Sequence, residues 1–274
     1  MNARIILALA LAGTCAMAAT PPTATSPSTT PRTAEGRPDF NGTWDNGGGI
    51  AFLNPQRSPD GSVCVTGCPP VAAPAAAPAG APAPGARPPP ERPSYKPQFQ
   101  GKVSELEKDQ VKQDPILRCQ PPGVPRIGPP DKIVQTATEI LFLYEDVSGP
   151  FFRIVPLRPG VIRQDDSPSY LGDATGRWEG DTLVVETGNF NDLTWLWDNG
   201  AFHTEALKVT ETLVRRGNEI EYRAVVNDPE VLAEPWQMRP RKMTLAAKEM
   251  AEPAPCMDQD LHLMQDGSYH QNAR

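Results

Sequence analysis

The sequence predicts an all-β protein whose strands follow one another as an antiparallel meander. Short apolar or alternating runs recur about every ten residues over the second half of the chain, and clusters of Gly, Asn, Asp and Pro separate them. The runs between these turns show no helical period. The strongest hairpin signal is Glu179-Gly180-Asp181, which separates the extended runs 169–178 and 182–187. This pattern is typical of a closed barrel or a stacked sandwich.

The first 18 residues have the pattern of a secretory signal peptide. Arg4 supplies the positive start, residues 5–11 the apolar centre, and Ala16-Met17-Ala18 a cleavage site of small residues. The apolar run is too short for a membrane-spanning helix. We therefore expect a periplasmic or secreted protein that is cleaved near Ala18 and has no stable membrane insertion.

Two proline-rich stretches fall outside the predicted strands. Residues 19–37 are rich in Thr, Pro and Ser and predict a disordered N-terminal lead-in. An Ala/Pro-rich insertion at about 69–98 has no alternation and cannot pack a core. We expect a single domain from residue 38 to residue 274 that carries this insertion. A short helix is predicted at 103–111.

Each predicted strand has its own pattern. In the run 182–187, Leu183, Val184 and Val185 indicate burial on at least one side. From residue 206 onward, Leu207, Val209, Glu211 and Leu213 alternate with Lys and Thr, which is typical of a half-buried strand. The first strand is expected at Trp44, and the later strands at 133–136, 140–145, 151–155, 169–178, 182–187, from 206, 220–226, 236–245 and 260–264.

Four cysteines remain after the predicted cleavage, and an even number in an oxidising compartment suggests disulfides. Cys64 and Cys68 could close a small ring, and Cys119 and Cys256 would then pair across the domain. A zinc site made of four cysteines is the alternative, although the spacing lacks the two close pairs that such sites use.

Charge and missing motifs exclude several classes of function. The net charge is −7 and the sequence pI is about 5.1, and no basic cluster stands out, so we expect no nucleic-acid partner. The sequence contains no GxSxG or SxxK nucleophile motif and no Gly-rich phosphate loop. It also contains no HxH or HExxH pair. We therefore expect no cofactor and no metal.

Two sequence resemblances indicate which kind of all-β fold to expect. The segment Gly42-Thr43-Trp44 resembles the opening of lipocalin-like barrels, in which the Trp plugs one end. The blocks RCQPPGVPR at 118–126 and GRWEGDTLVV at 176–185 resemble a family of secreted bacterial proteins of ill-defined function, which also share a late Cys. The resemblance implies export and a barrel-like all-β fold, so we expect a lipocalin-like barrel.

The family resemblance also bears on single residues. Cys119 and Cys256 both lie in the shared blocks, which favours their pairing. Where relatives commonly have His in a Gly-His-Ser segment before GRWEGD, this chain has Asp173. If that His acts as a general base in the relatives, its role is altered or lost here.

A polar loop with two tryptophans provides the first candidate site. It runs between the strands that end near 187 and begin near 206, and it includes Asn191, Trp195 and Trp197. His203 and Glu205 share a face of an extended segment, so the carboxylate could orient the imidazole for proton transfer. The alternative is a solvent-exposed His beside an unrelated Glu.

Residues on neighbouring strands could face the same pocket mouth. Tyr170 and Asp173 precede Trp178, and Tyr144 and Arg153 lie on the adjacent hairpin. Arg153 could hold an anionic or phenolic group with both arms of its guanidinium. Alternatively, it forms an ion pair with Glu145 on the solvent face. Trp195 and Trp197 are expected to form a stacking wall for a ligand, although tryptophans of all-β domains are more often core.

These candidates predict an exported, cofactor-independent enzyme that binds a small apolar or aromatic molecule in a barrel pocket. It would act by acid–base proton transfer, as a lyase or isomerase, with His203, Glu205, Tyr170 and Asp173 as catalytic residues. The first alternative is a non-catalytic binding protein for a small hydrophobic ligand. The second is a structural envelope protein whose Ala/Pro tract contacts a partner.

Overall fold

A computed structural model describes residues 29–47, 56–57, 63–64, 92–158, 166–251 and 256, and the structural statements below concern these residues. Nine strands build the barrel wall, namely β1 (Gly42–Asp45), β4 (Lys132–Gln135), β5 (Glu139–Asp146), β6 (Gly149–Pro156), β7 (Asp173–Glu179), β8 (Thr182–Gly188), β11 (Lys208–Arg216), β12 (Glu219–Asn227) and β14 (Arg241–Leu245). Short strands form two hairpins and an extension of β12, namely β2 (Gln56–Arg57), β3 (Val63–Cys64), β9 (Trp195–Trp197), β10 (Ala201–Phe202) and β13 (Trp236–Gln237).

The wall strands are ordered β6-β5-β4-β1-β14-β12-β11-β8-β7, and every pair is antiparallel. Starting from β1, neighbouring wall strands follow one another in chain order from β4 to β14. β1 links the two ends of this series, because it pairs with both β4 and β14. The predicted all-β antiparallel barrel is therefore confirmed. This order leaves β6 and β7 as the two ends of the hydrogen-bonded ladder.

The barrel has one seam, between β6 and β7. These two strands are neighbours, but among the described residues no hydrogen-bonded ladder joins them. Side chains close the inner side of the seam, because a Cβ atom on Gly176 would come within 2.8 Å of Val155 and 2.9 Å of Leu157. Gly176 on β7 therefore leaves room for Val155 of β6 and for Leu157, which follows β6.

Inward-facing side chains fill the barrel. The alternate residues Ile140, Phe142 and Tyr144 of β5 are all buried, as are Ile220 and Tyr222 of β12. This follows from the period of two along a strand, which sends every second side chain to the same face.

The tryptophan of the Gly-x-Trp segment is part of this core. The Trp44 indole N–H donates to the Phe40 carbonyl at 3.0 Å, and the Arg215 guanidinium lies 5.0 Å from the ring centre. Trp44 is thus buried as a barrel-plugging residue would be.

Within the described ranges, helix occurs in the connection before β4. The helix predicted at 103–111 is present as α1 (Gln100–Lys108) and α2 (Gln110–Gln113), with 3₁₀ turns at Pro97–Phe99 and Pro115–Arg118. No helix in the described part of the chain is long and apolar enough to cross a membrane.

Two predicted strands have different limits in the structure. The strand predicted at 236–245 is divided into β13 and β14, since Pro240 has no N–H to donate to a ladder. The strand predicted at 169–178 starts later, at Asp173, because Gly172 adopts a left-handed φ of 66°. The strand predicted at 260–264 lies outside the described residues.

Parts of the proline-rich stretches contact the barrel. Residues 29–37, at the end of the predicted lead-in, differ from that prediction: both Arg32 arms donate to Asp181, and the Gly217 N–H donates to Thr30. Within the predicted insertion, Tyr95 is buried and its hydroxyl donates to the Phe202 carbonyl. Residues 1–28 and 69–91 lie outside the described residues.

The predicted disulfide between Cys119 and Cys256 is confirmed, with Cα atoms 5.5 Å apart. The pair fits an oxidising compartment. Cys68 lies outside the described residues, so its pairing with Cys64 stays a prediction.

Candidate functional site

A cavity of about 750 Å³ lies along the seam between β6 and β7, and we call it the seam cavity. Its walls come from β6, from β7 and the turn that precedes it, from the first residue of β5 and from the loop that contains Pro121. They comprise Pro121, Glu139, Phe152, Arg153, Ile154, Pro156 and the run from Ser169 to Thr175.

One wall of the cavity is the outer face of β6, which is apolar. Val155 points into the core, whereas Phe152 and Ile154 point outward and are 63% and 48% exposed. Apolar side chains on the outer face of a barrel strand need a covering element or a ligand to leave water. Phe152 and Ile154 form one wall of the seam cavity, and the run from Ser169 to Thr175 forms the facing wall.

The turn before β7 is held in place by backbone contacts. The Ser169 N–H donates to Asn189 at 3.1 Å, and the Asn191 N–H donates to Ser169 at 2.9 Å. Gly172 is needed at the end of the turn, since a Cβ there would lie 2.6 Å from the Gly188 carbonyl. Asn191, predicted as a ligand-binding residue, therefore supports the turn that carries Tyr170.

Three of the predicted site residues are brought together at the seam cavity, namely Tyr170, Asp173 and Arg153. The Asp173 carboxylate accepts a hydrogen bond of 2.7 Å from the Asn189 side-chain amide, which also donates to the Asp166 carbonyl. The carboxylate is thus held at the start of β7, and Asp173 lines the cavity.

His203 is not among the described residues that line this cavity. It is only 2% exposed, its Nε2 lies 2.7 Å from Thr194 Oγ1, and its Nδ1 lies 3.0 Å from the Thr204 carbonyl. A carbonyl oxygen only accepts, so in the neutral ring Nδ1 carries the proton and Nε2 accepts from Thr194. Burial lowers the pKa of His203, which keeps the ring neutral at pH 7.

The predicted pair of His203 and Glu205 does not form. Glu205 is exposed in the turn before β11, and the Thr204 carbonyl orients the imidazole instead. The segment is not extended through residue 205, so the rule that alternate residues share a face does not apply there.

The two tryptophans of the polar loop also lie away from the seam cavity. They form the short strand β9, which pairs with β10, and Trp195 is buried with the Arg126 guanidinium 5.5 Å from its ring. Trp197 lies 6.3 Å from Trp236 and 5.0 Å from the Arg241 guanidinium. It lines a second cavity of about 180 Å³, together with Ile116, Pro122, Arg126, Asp146 and Asp198.

Arg153 belongs to a buried polar group, the interior polar cluster, which comprises Arg153, Glu211, Tyr144, Tyr222 and Thr187. The guanidinium donates to both carboxylate oxygens of Glu211, at 3.0 and 2.5 Å. It also donates to Tyr144 and Thr187, and Tyr222 donates to Glu211 at 2.9 Å. Burial raises the pKa of both phenols, so they stay protonated.

The predicted alternative for Arg153, a surface ion pair with Glu145, is wrong. In the β5–β6 register, Arg153 is opposite Phe142 and Glu145 is opposite Pro150. Arg153 therefore faces inward, whereas Glu145 is exposed. Two-armed binding of a ligand by Arg153 is also excluded, because Glu211 already occupies both arms.

Sequence reasoning missed Glu211, Tyr222, Phe152 and Ile154. A signal for Glu211 was present, since it occupies an inward position between Val209 and Leu213. A charge in the apolar phase of a strand indicates a buried partner. Phe152 and Ile154 could have been found because they alternate with Phe151 and Val155, which makes the predicted strand 151–155 largely apolar in both phases.

Among the described residues, no group of three or more His, Cys, Asp or Glu side chains could hold a metal ion. Comparison of the chain with protein-family models, with curated proteins and with solved structures found no match.

Proposed function

We propose that this is an exported protein that binds a small apolar or aromatic molecule in the seam cavity. The observation that carries the proposal is the outward, exposed position of Phe152 and Ile154 on the cavity wall. The volume of about 750 Å³ is within the range of small-molecule sites. The disulfide between Cys119 and Cys256 supports export.

The lining has the composition of a ligand site. Leu171, Pro121 and Pro156 extend the apolar wall, and polar side chains such as Glu139 and Asp173 also line the cavity. Apolar area that a ligand covers contributes about 25 cal/mol per Å², and a few polar groups are enough to orient the ligand.

Binding can be tested with N-phenyl-1-naphthylamine, whose fluorescence rises in apolar surroundings. We expect the wild-type protein to bind this probe and Phe152→Ser to bind it about tenfold more weakly, because a large part of the apolar wall is lost. Leu193→Ser is the matched control, since Leu193 is 52% exposed and is not among the described lining residues. Absence of binding, or equal loss in both variants, would contradict the proposal.

Acid–base catalysis on the bound molecule is a second candidate function. The observation that favours it is that Glu139, Asp173 and Tyr170 line the same cavity. A carboxylate can take a proton from an activated carbon, and a phenol or a carboxylic acid can return one. A lyase or isomerase of this kind would use Asp173 and Tyr170, without His203.

Proton transfer would exchange hydrogen between the ligand and the solvent. A small-molecule extract incubated with the protein in D₂O is expected to contain at least one compound with an added deuterium, detected by untargeted mass spectrometry. Asp173→Asn, which can still accept from Asn189, should lose this exchange while still binding the naphthylamine probe. Equal exchange with wild type and variant would exclude Asp173 as the base, and binding without exchange would leave the non-catalytic function.

A further inference from the structure

We propose that protonation of His203 at acid pH weakens ligand binding in the seam cavity. The neutral imidazole supports the loop on which one cavity wall rests, and the charged imidazole does not. This regulation concerns the proposed binding site and rests on the proposed binding function.

The cavity wall that runs from Ser169 to Thr175 rests on the loop that follows β8. Ser169 forms a β-bridge with Phe190, and the Ser169 N–H donates to the Asn189 carbonyl at 3.1 Å. The Phe190 ring is fully buried against Gly172, because a Cβ atom on Gly172 would come within 2.7 Å of that ring. A shift of Phe190 would therefore loosen this wall.

His203 contacts the same aromatic ring. The ring centres of Phe190 and His203 are 6.2 Å apart, and their planes are at 72° to each other. The imidazole is held by two hydrogen bonds, one from Nδ1–H to the Thr204 carbonyl and one from the Thr194 hydroxyl to Nε2. Phe190 thus contacts both the imidazole and the turn at Gly172, and it connects His203 to the cavity wall.

The surroundings of His203 suit the neutral ring. A proton on Nε2 would face the Thr194 oxygen at 2.7 Å, so the hydroxyl hydrogen of Thr194 would have to turn elsewhere. Thr194 is 1% exposed, and a Cβ atom on Gly123 would lie only 2.3 Å from its Oγ1. A charged imidazole would also be buried, which is costly unless a counter-charge binds it. Acidification therefore favours an arrangement in which the imidazole reaches water.

The neighbouring carboxylates do not remove this cost. Asp228 and Asp192 favour the protonated ring, but burial has the larger effect and lowers the pKa of His203. Asp228 follows β12 and accepts from Thr204 instead of from the ring, and Asp192 is exposed in the loop after β8. Glu205 is exposed in the turn before β11.

The direction of this pKa shift sets the pH range. The pKa of an imidazole in water is about 6.5, so below about pH 6.5 an opened arrangement takes up a proton more readily than the packed one. The packed wall is therefore fully favoured above about pH 7 and loses this advantage as the pH falls. At about pH 5 the proton can favour the opened arrangement by at most about thirtyfold.

The test measures the affinity for N-phenyl-1-naphthylamine, which stays uncharged, at two pH values. We expect the wild-type protein to bind this probe about five- to tenfold more weakly at about pH 5 than at about pH 7.5. His203→Gln has no imidazole to titrate, so its affinity should change by less than about twofold. His262→Gln combined with His270→Gln is the matched control, because it replaces the two other histidines of the sequence. It should keep the pH dependence of the wild type.

The outcomes separate this regulation from the binding function. If the wild type binds the probe at neither pH, the binding function itself fails. If the wild type binds it equally well at both, the binding function stands and the role of His203 is refuted. The same conclusion holds if His203→Gln loses as much affinity at low pH as the wild type does.

Hydrogen exchange of the wild-type protein decides if His203→Gln does not fold. The Ser169 and Asn191 amides, which join the wall to the loop, should lose protection at the lower pH. The Leu245 amide, which donates to the Asn218 carbonyl, should keep its protection. Unchanged protection of Ser169 and Asn191, or an equal loss at Leu245, would overturn the inference.

Discussion

Replacement of Glu211 by Gln is expected to lower the free energy of unfolding by about 3–5 kcal/mol, because it leaves Arg153 as an uncompensated charge in the barrel interior. The two side chains are 2% and 0% exposed, so water cannot take over the role of the lost carboxylate. The two terminal nitrogens of Arg153 and the hydroxyl of Tyr222 would all lose their charged acceptor. Urea denaturation followed by circular dichroism measures the effect.

Two further variants show whether the loss of stability comes from the unpaired buried charge. Arg153→Met combined with Glu211→Leu removes both charges and should cost much less than Glu211→Gln alone, since a buried ion pair contributes little relative to apolar side chains of similar volume. Glu219→Gln removes one partner of the exposed pair with Lys242 and should leave stability close to that of the wild type. If Glu211→Gln costs less than about 1 kcal/mol, the interior polar cluster does not depend on a charged pair.

Removal of the disulfide is the second change with a large expected effect. Cys119→Ser combined with Cys256→Ser should lower the free energy of unfolding by about 4–5 kcal/mol, because the bond closes a loop of 137 residues in the unfolded chain. Loss of this link increases the conformational freedom of the unfolded state. Denaturation curves of the variant and the wild type, both without reductant, measure the difference.

Reduction of the wild-type protein provides an independent check of the disulfide. Dithiothreitol should bring the wild-type curve close to that of the double serine variant, and it should change the curve of the variant much less. Because the reductant also acts on any other cysteine pair, the residual change in the variant reports Cys64 and Cys68. An unchanged unfolding midpoint in the double variant would show that the bond between Cys119 and Cys256 does not stabilise the fold.

The filled interior of the barrel accounts for the position of the proposed site. Trp44, Phe142, Tyr144 and Tyr222 are all at most 2% exposed, and they occupy the space in which a wider barrel would hold a ligand. The cavity of about 750 Å³ lies instead at the seam, where two of the described strands meet without a ladder. The site therefore depends on incomplete closure of the wall.

Much of the fold was predictable from local patterns. Alternation along 206–213 placed Val209, Glu211 and Leu213 on one face, and the structure buries all three. The turn at Gly180 and the end of β12 near Asn227 are also where the sequence places them. These features depend on residues a few positions apart, so the sequence contains the information directly.

The site was predicted less completely, because its parts are distant in the chain. Tyr170 and Asp173 were expected at a pocket mouth and line the seam cavity. His203 was expected to be a base, but the chain folds Thr194 and Thr204 against both of its nitrogens. The polar composition of the loop suggested exposure, and only the tertiary structure shows that β9 and β10 pack it into the core.

The sequence by itself indicated most of the wall strands, their turns and the side chains that share a face of each strand, since a period of two is a local property of the chain. The tertiary structure decided which strands are neighbours and which side chains contact one another inside the barrel. It placed β1 between β4 and β14, left β6 and β7 without a ladder, and brought Arg153 to Glu211, 58 positions along the chain. Barrel closure and strand register set these contacts, and both arise only when all the wall strands pack together.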